Sequence, residues 1–343
     1  MSEFENIILD VNNSPKGQLI KNKSFISYLT RTINLHYGVK CNEGVFPGPQ
    51  PVSIEKKDFS KLKDYKYFTS LKLDGYRFIL YFIKDKNEKN QCIILNRALN
   101  FYNINIDAED TIFNGTLLDG ELVFNKENNS WDYFIHDALL LCGNKINKLS
   151  HSIRLSDTQC CVESFINNNS KVNTVNIKVK DFYEFEDFNK FMTIYSKSNN
   201  NDGIIFMPEN LPVISGTQYS MLKWKPQEKH TFDFLIKESE KGLNAFVFHM
   251  GNFKEFAIIH KDTPDGNIFI EKTKVLRNYK NECILECSFN KETNNFNPVL
   301  IRTDKTHPNS LRTIERTLFN ITENIKLNDF TDICKEKNDL TNM

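Results

Sequence analysis

Six short polar insertions interrupt runs that otherwise read as apolar strands. They are KLDGYR (72–77), DGEL (119–122), HDAL (136–139), NDGIIF (201–206), LKWKP (222–226) and RTDK (302–305). A charged group half-buried in a strand is costly unless it is paired or faces a ligand. Insertions of alternating sign describe a polyphosphate site, and its centre would be Lys72, two residues before the Asp74-Gly75 turn. A lysine attacks phosphorus only as the free amine, and nearby cations disfavour its charged form. Arg77, with Lys223 and Lys225 alternating on one strand face, would supply that field. The same cations would hold phosphates and stabilise charge on a departing pyrophosphate. Glu121 and Asp202 offer carboxylates for a ribose hydroxyl and for Mg2+ or Mn2+, which prefer oxygen ligands. The chemistry would be a covalent lysyl–nucleotide intermediate, one displacement split into two easier ones.

These residues need a scaffold of strands. Residues 67–142 alternate strand-like runs (YRFILYFI, QCIILNR, LLDGELVF, WDYFIHDALLLC) with polar turns. Apolar spacing predicts helix within 16–38 and again over 184–197, and GIIFM and YSMLKWK read as further strands. VFPGPQPV (45–52) excludes regular helix and central strand, because proline removes a donor and fixes φ. From about residue 227, TFDFLI, AFVFHM, EFAIIH, NIFI, ECILECSF and NPVLIR predict five or six short strands, a small barrel or sandwich with little helix. Residues 310–338 read as helix. The class is α+β.

Composition bounds the rest. The 343 residues suffice for two domains, and 44 Lys+Arg balance 44 Asp+Glu, so any polyanion site is a local patch. The eight cysteines show no paired CxxC spacing and read as reduced thiols of an intracellular protein. No run approaches a membrane span, and the acidic start does not read as a signal peptide. KKDFSKLKDYK reads as a solvated face, and Trp131, Tyr133 and Phe134 read as core.

In the order K-x-D-G-x-R, D-G-E-L, D-A, D-G-I-I-F, K-W-K, R-x-D-K, the chain resembles the covalent nucleotidyltransferases. It is closer to the mRNA capping enzymes than to polynucleotide ligases, and closest to the compact enzymes of large DNA viruses, the chlorella virus type. FPGPQPVSIEKKDFSKLKDYKY (46–67), PVISG (212–216), KPQEKHTFDF (225–234) and IRTDKTHPN (301–309) carry the likeness across residues 45–320. It implies a nucleotidyltransferase domain of ligase-type antiparallel sheets with helices (1–226), then an OB-fold barrel (227–322). The C-terminal helix (323–343) would pack back on the first domain. It implies an mRNA guanylyltransferase that transfers GMP from GTP to 5′-diphosphate RNA, with Mg2+ or Mn2+. The RNA triphosphatase and cap methyltransferase would be separate proteins. The setting would be intracellular, a cytoplasmic viral factory or the nucleus, with no membrane.

By that likeness Lys72 is the nucleophile, Asp74 lies beside it, and Arg77 and Glu121 reach the ribose. Arg97 lies near sugar and phosphates, Asp202 serves the metal with Glu121, and Lys223 and Lys225 meet the α-phosphate and base edge. Asp233, Arg302, Asp304 and Lys305 belong to the second domain, whose closing would bring Arg302 and Lys305 to the β and γ phosphates. Lys178 or Lys180 would be a further triphosphate contact. His136 stands where the family places a phenylalanine that stacks on guanine. A planar imidazole can stack there; the alternative is a ring bonded to a neighbouring carbonyl. An ATP-dependent ligase would share much of this set, though ligases often carry glutamate at the position of Ser70. A silent RNA-binding subunit is the third reading.

Overall fold

β-Branched and aromatic residues at alternate positions write much of this chain as strands, and helices close the apolar faces those strands leave. The computed structural model describes residues 17–38, 46–198, 201–276, 282–302 and 305–341. They form two compact units, a larger one within 5–224 and 327–343 and a smaller one within 225–326.

Strands of the larger unit, in chain order, are β1 (Gly17–Leu19), β2 (Pro49–Ser53), β3 (Tyr67–Leu73), β4 (Tyr76–Lys84), β5 (Asn90–Asn96) and β6 (Phe101–Ile104). There follow β7 (Thr116–Asn125), β8 (Ser130–Leu141), β9 (Asn144–Lys145), β10 (Asn176–Val179), β11 (Tyr183–Glu184), β12 (Asn201–Pro208) and β13 (Gly216–Trp224). One sheet runs β1-β6-β5-β4-β7-β8-β10 with β9 beside β8; the other runs β11-β3-β12-β13-β2. The Pro-rich stretch does form a strand, β2, but at a sheet edge, where missing donors cost least.

Helix α1 (Lys23–Tyr37) starts where the Asn22 side chain accepts from the Ser24 and Phe25 amides, and it stops at left-handed Gly38. It buries Leu29, Ile33 and Tyr37 against Ile79, Tyr81 and Ile83 of β4. A short α2 (Phe59–Asp64) follows, then α3 (His151–Phe165), a helix that motif spacing did not predict. Helix α4 (Phe188–Lys197) lies within the stretch expected to be helical.

The smaller unit holds β14 (Thr231–Ser239), β15 (Gly242–His249), β16 (Asn252–His260), α5 (Pro264–Leu276), β17 (Glu282–Asn290), β18 (Asn295–Ile301) and α6 (Leu311–Glu323). The first strand, β14, pairs with both the second and fourth, and a helix links third to fourth, which is the connectivity of an OB fold. NIFI, expected to be a strand, lies inside α5. Pro264 opens that helix, and Phe269, Ile270 and Thr273 are buried at helical spacing, a period that four apolar residues alone do not reveal.

The last helix, α7 (Leu327–Thr341), belongs to the larger unit. Its Phe330 is fully buried among Phe59, Phe188, Phe206 and Trp224. The Lys337 ammonium donates to the Leu62 and Tyr65 carbonyls at 3.0 and 2.6 Å and pairs with Glu186 at 2.7 Å. Truncating a buried phenylalanine typically costs about 3–5 kcal/mol. Phe330→Ala is expected to destabilise the larger unit by that amount, read as a lower urea midpoint at unchanged m-value.

Candidate active site

Lys72 lies near the end of β3, opposite a bulge in β12. Ile204 pairs with Leu71 and Asn201 with Leu73, so Asp202 and Gly203 together face the single residue Lys72. Gly203 has φ 136°, open to glycine and strained for other residues. The bulge aims Asp202 at Lys72, and Oδ2 lies 2.6 Å from the ammonium Nζ. Both side chains keep partial access, 23% and 17% exposed.

Register brings Lys223 to the same face. Lys223 pairs with Ile205 and Ile205 with Ser70, and residues 70 and 72 point the same way. The expected alternation does not extend to Lys225, because β13 ends at Trp224 and Lys225 opens the smaller unit. The cause is Pro226, which lacks a donor and restricts the residue before it.

This face of β3 meets the segment that leaves β10. Ser70 Oγ donates to the Asp181 carbonyl at 2.6 Å, and buried His151 contacts both Phe68 and Phe182, with ring centroids 5.8 and 4.6 Å away. Lys180 therefore lies in the neighbourhood of Lys72. Burial pushes its amine down to about 8, the Lys72 charge adds to the fall, and Glu121 opposes both. Lys178 is held elsewhere, 2.7 Å from Asp132. Glu121 pairs across strands with Arg77, placing both on one face of the larger sheet. Arg97 lies within electrostatic reach of Arg77, Glu121 and Asp119. Asp74 is exposed in the turn after β3.

Arg77 grips Asp119 with two hydrogen bonds, Nε to Oδ1 at 2.9 Å and Nη2 to Oδ2 at 2.6 Å. His136 Nε2 lies 3.2 Å from the same Oδ1. A second bulge explains the approach: Asp119 pairs with Asp137 and Gly120 with Ile135, leaving His136 as the extra residue. Burial would raise the Asp119 carboxyl, but the Arg77 charge, with His136 beside it, outweighs burial and holds it well below the usual carboxylate range. The His136 ring is thus tied by one edge to a carboxylate rather than to a carbonyl. Asp137 is held apart by Arg154, at 2.7 and 2.8 Å, in a fully buried pair.

In the smaller unit, Asp233 receives Arg302 Nη1 at 3.3 Å, Asn309 Nδ2 at 3.2 Å and the Lys305 ammonium. Arg302 also reaches Glu286 at 3.1 Å. Asp304 lies outside the described residues. Among the described residues no three His, Cys, Asp or Glu converge as a metal cage. Asp202 offers the hard oxygen that Mg2+ or Mn2+ accepts when phosphates and waters complete the shell. The motif reading assigned no role to Asp119, Asp137 or Arg154; the one signal available was that a charge inside LLDGEL must be paired if buried.

Two family models match, "mRNA capping enzyme, catalytic domain" over residues 20–227 and "mRNA capping enzyme, C-terminal domain" over 217–331. The mRNA-capping enzyme subunit alpha of Schizosaccharomyces pombe is 26% identical over 320 residues, covering 83% of this chain and 78% of that protein. The mRNA-capping enzyme of Danio rerio is 27% identical over 293 residues, covering 78% of this chain and 46% of that protein. Among solved structures, a mycobacterial DNA ligase D complexed with ATP and MES aligns at TM-score 0.40 and 13% identity, over 74% of this chain and 95% of that one. The ATP-dependent DNA ligase of bacteriophage T7 aligns at TM-score 0.38 and 11% identity, over 77% and 97%.

The electrostatics around Lys180 can be checked directly. Its side-chain amine should titrate near 8 by NMR, with the midpoint rising in Lys72→Met and falling in Glu121→Gln. An unfolded lysine holds its proton up to about 10.4. The unfolded chain therefore binds more protons between the two values, and stability should rise with pH across that window. Lys180→Met is expected to flatten the rise.

Proposed function

Given that the chain belongs to the mRNA capping enzyme family, we propose that it is an mRNA guanylyltransferase whose nucleophile is Lys72. The observation that carries the residue assignment is the Lys72–Asp202 contact of 2.6 Å, on a face shared with Lys223 and close to Lys180. In the first step the Lys72 amine, its proton shed, forms a bond to the α-phosphorus of GTP. The bond to the β-phosphate oxygen breaks, and pyrophosphate leaves with the electron pair. Asp202 is positioned to take the amine proton, and Lys180 and Lys223 offset charge on the phosphates. In the second step a terminal oxygen of a 5′-diphosphate RNA attacks the same phosphorus. The P–N bond breaks, the amine regains a proton, and a GpppN end is released.

Arg77 and Glu121 are assigned to the ribose, Arg97 to sugar and phosphate, His136 to the base, and Lys225 to the base edge. Arg302 and Lys305, both held by Asp233, are assigned to the β and γ phosphates of the first step, and Asp304 to the same second-domain motif. A divalent ion held by Asp202, with Glu121 near, would neutralise phosphate charge. Separate proteins would remove the RNA γ-phosphate and methylate the cap.

The test is covalent labelling with α-phosphate-labelled GTP, and with ATP in parallel, in Mg2+ or Mn2+. An acid-labile band with GTP alone is expected, lost at least a thousandfold in Lys72→Ala because no other group forms the bond (roughly the scale of removing a nucleophile). Labelling with ATP instead would make the chain a ligase, and no labelling would leave it a silent subunit.

A further inference from the structure

The segment Phe46-Pro47-Gly48, singled out in the sequence as a breaker of regular structure, does more than connect. The guanidinium of Arg77 lies over the Phe46 ring, 5.3 Å from its centroid. A Cβ placed on Gly48 would come within 2.7 Å of Phe46 Cε1, 2.8 Å of Arg77 Nη2 and 2.9 Å of Asp119 Oδ2. Real Cβ contacts do not come that close, so the backbone at Gly48 lies directly on the Arg77–Asp119 ion pair. Two residues on, Gln50 Oε1 accepts from Arg97 Nη2 at 3.3 Å, while Gln50 Nε2 donates to the Gly48 carbonyl, also at 3.3 Å. One short segment thus touches both arginines assigned to the nucleotide.

Arg77 would otherwise be a long side chain with many rotamers. Here its Nε and Nη2 edge is spent on Asp119, one face is covered by Phe46, and Gly48 closes the corner between them. A guanidinium is planar with five fixed donors, so fixing one edge leaves the Nη1 edge aimed in one direction. The carboxylate itself is fixed from the other side by His136. We propose that Phe46, Gly48 and Asp119 form a positioning clamp that presents Arg77 to the ribose hydroxyls of the bound nucleotide. The clamp residues act through Arg77 and touch no reacting atom. The target of Arg77 rests on the guanylyltransferase reading; the clamp geometry does not.

The readout is the preference for GTP over its 2′-deoxy and 3′-deoxy forms. It is taken as equilibrium affinity on Lys72→Met protein, where no adduct forms, and as adduct-forming kcat/KM with Lys72 intact. Gly48→Ala and Asp119→Asn are expected to narrow the preference against one deoxy form by about tenfold, the effect of losing one charged hydrogen bond. KM should rise more than kcat falls, and Phe46→Tyr, which keeps a ring over the guanidinium, should retain the wild-type preference. Should Asp119→Asn fail to fold, Gly48→Ala carries the test, since the three nearest atoms its Cβ would crowd all belong to clamp side chains and none to backbone. An equal loss for GTP and both deoxy forms would reduce the clamp to a fold element and overturn the proposal. A narrowed binding preference in a protein that forms no GMP adduct would keep the clamp and remove guanylyl transfer; an adduct with an unmoved preference would do the reverse.

Discussion

A primary amine that is to attack a phosphate faces two opposed demands. It needs cations around it, both to hold the polyanion and to loosen its own proton, yet cations packed without counter-charge do not stay folded in a half-buried site. The larger unit meets both demands by spreading the charges over two sheets. Lys72, Lys223 and the carboxylate of Asp202 come from the smaller sheet, while Arg77, Glu121 and Asp119 come from the larger one. Lys180 lies on the segment that joins them, and its amine is already pushed down to about 8 by burial and by Lys72. Glu121 opposes that fall, so the surroundings of Lys180 carry charges of both signs.

Regular strands cannot place these groups. In an ideal antiparallel ladder neighbours alternate faces, and a carboxylate two residues along points where its strand sends it. The structure departs from the ladder at two positions that matter. The bulge at Asp202-Gly203 turns a carboxylate onto Lys72, and the bulge at His136 turns an imidazole onto Asp119. Each puts two residues opposite one, which bends the strand and re-aims a side chain without breaking the sheet. The cores behind them, Ile79 and Tyr81 against α1 and Phe206 against Phe330, keep those departures fixed.

Much of the chemistry was legible in the sequence, because a charge inside an apolar strand announces that something must pair with it. KLDGYR, DGEL, NDGIIF and LKWKP singled out Lys72, Arg77, Glu121, Asp202 and Lys223; the register puts Lys72 and Lys223 on one face of the smaller sheet, with Asp202 turned onto Lys72, and Arg77 and Glu121 on one face of the larger. What stayed hidden depends on register. Nothing in the spacing says that His136 is the extra residue of a bulge, that β13 stops at Trp224, or that Asp119 is the shared partner of Arg77 and His136. The helix over NIFI was hidden for a different reason: four apolar residues fit either period, and the helix around them starts upstream at Pro264, five residues before Phe269. Helix α3 was missed because its buried face is polar, with His151, Arg154 and Thr158 inside, so apolar periodicity is weak.

That polar interior points to the division of labour among the buried charges. Asp137 and Arg154 satisfy one another completely, with Arg154 Nη1 also donating to the Leu211 carbonyl at 3.1 Å, and such a pair fixes geometry without offering anything to a ligand. Asp233 in the smaller unit is different. Its cations, Arg302 and Lys305, remain partly exposed, 23% and 32%, while the carboxylate is nearly covered. A cation held by a buried carboxylate but open to water on its outer side can gain a phosphate without losing its first partner, so little desolvation opposes the exchange. A different distinction separates Arg77 from Arg154. Both grip a buried aspartate with two bonds and both side chains are largely covered, 8% and 1% exposed, but Arg77 shares its sheet face with Glu121 and lies near Arg97. Arg154 spends its remaining edge on the Leu149 and Leu211 carbonyls, so what the outer edge meets, rather than the strength of the ion pair or the burial of the cation, sets the two arginines apart.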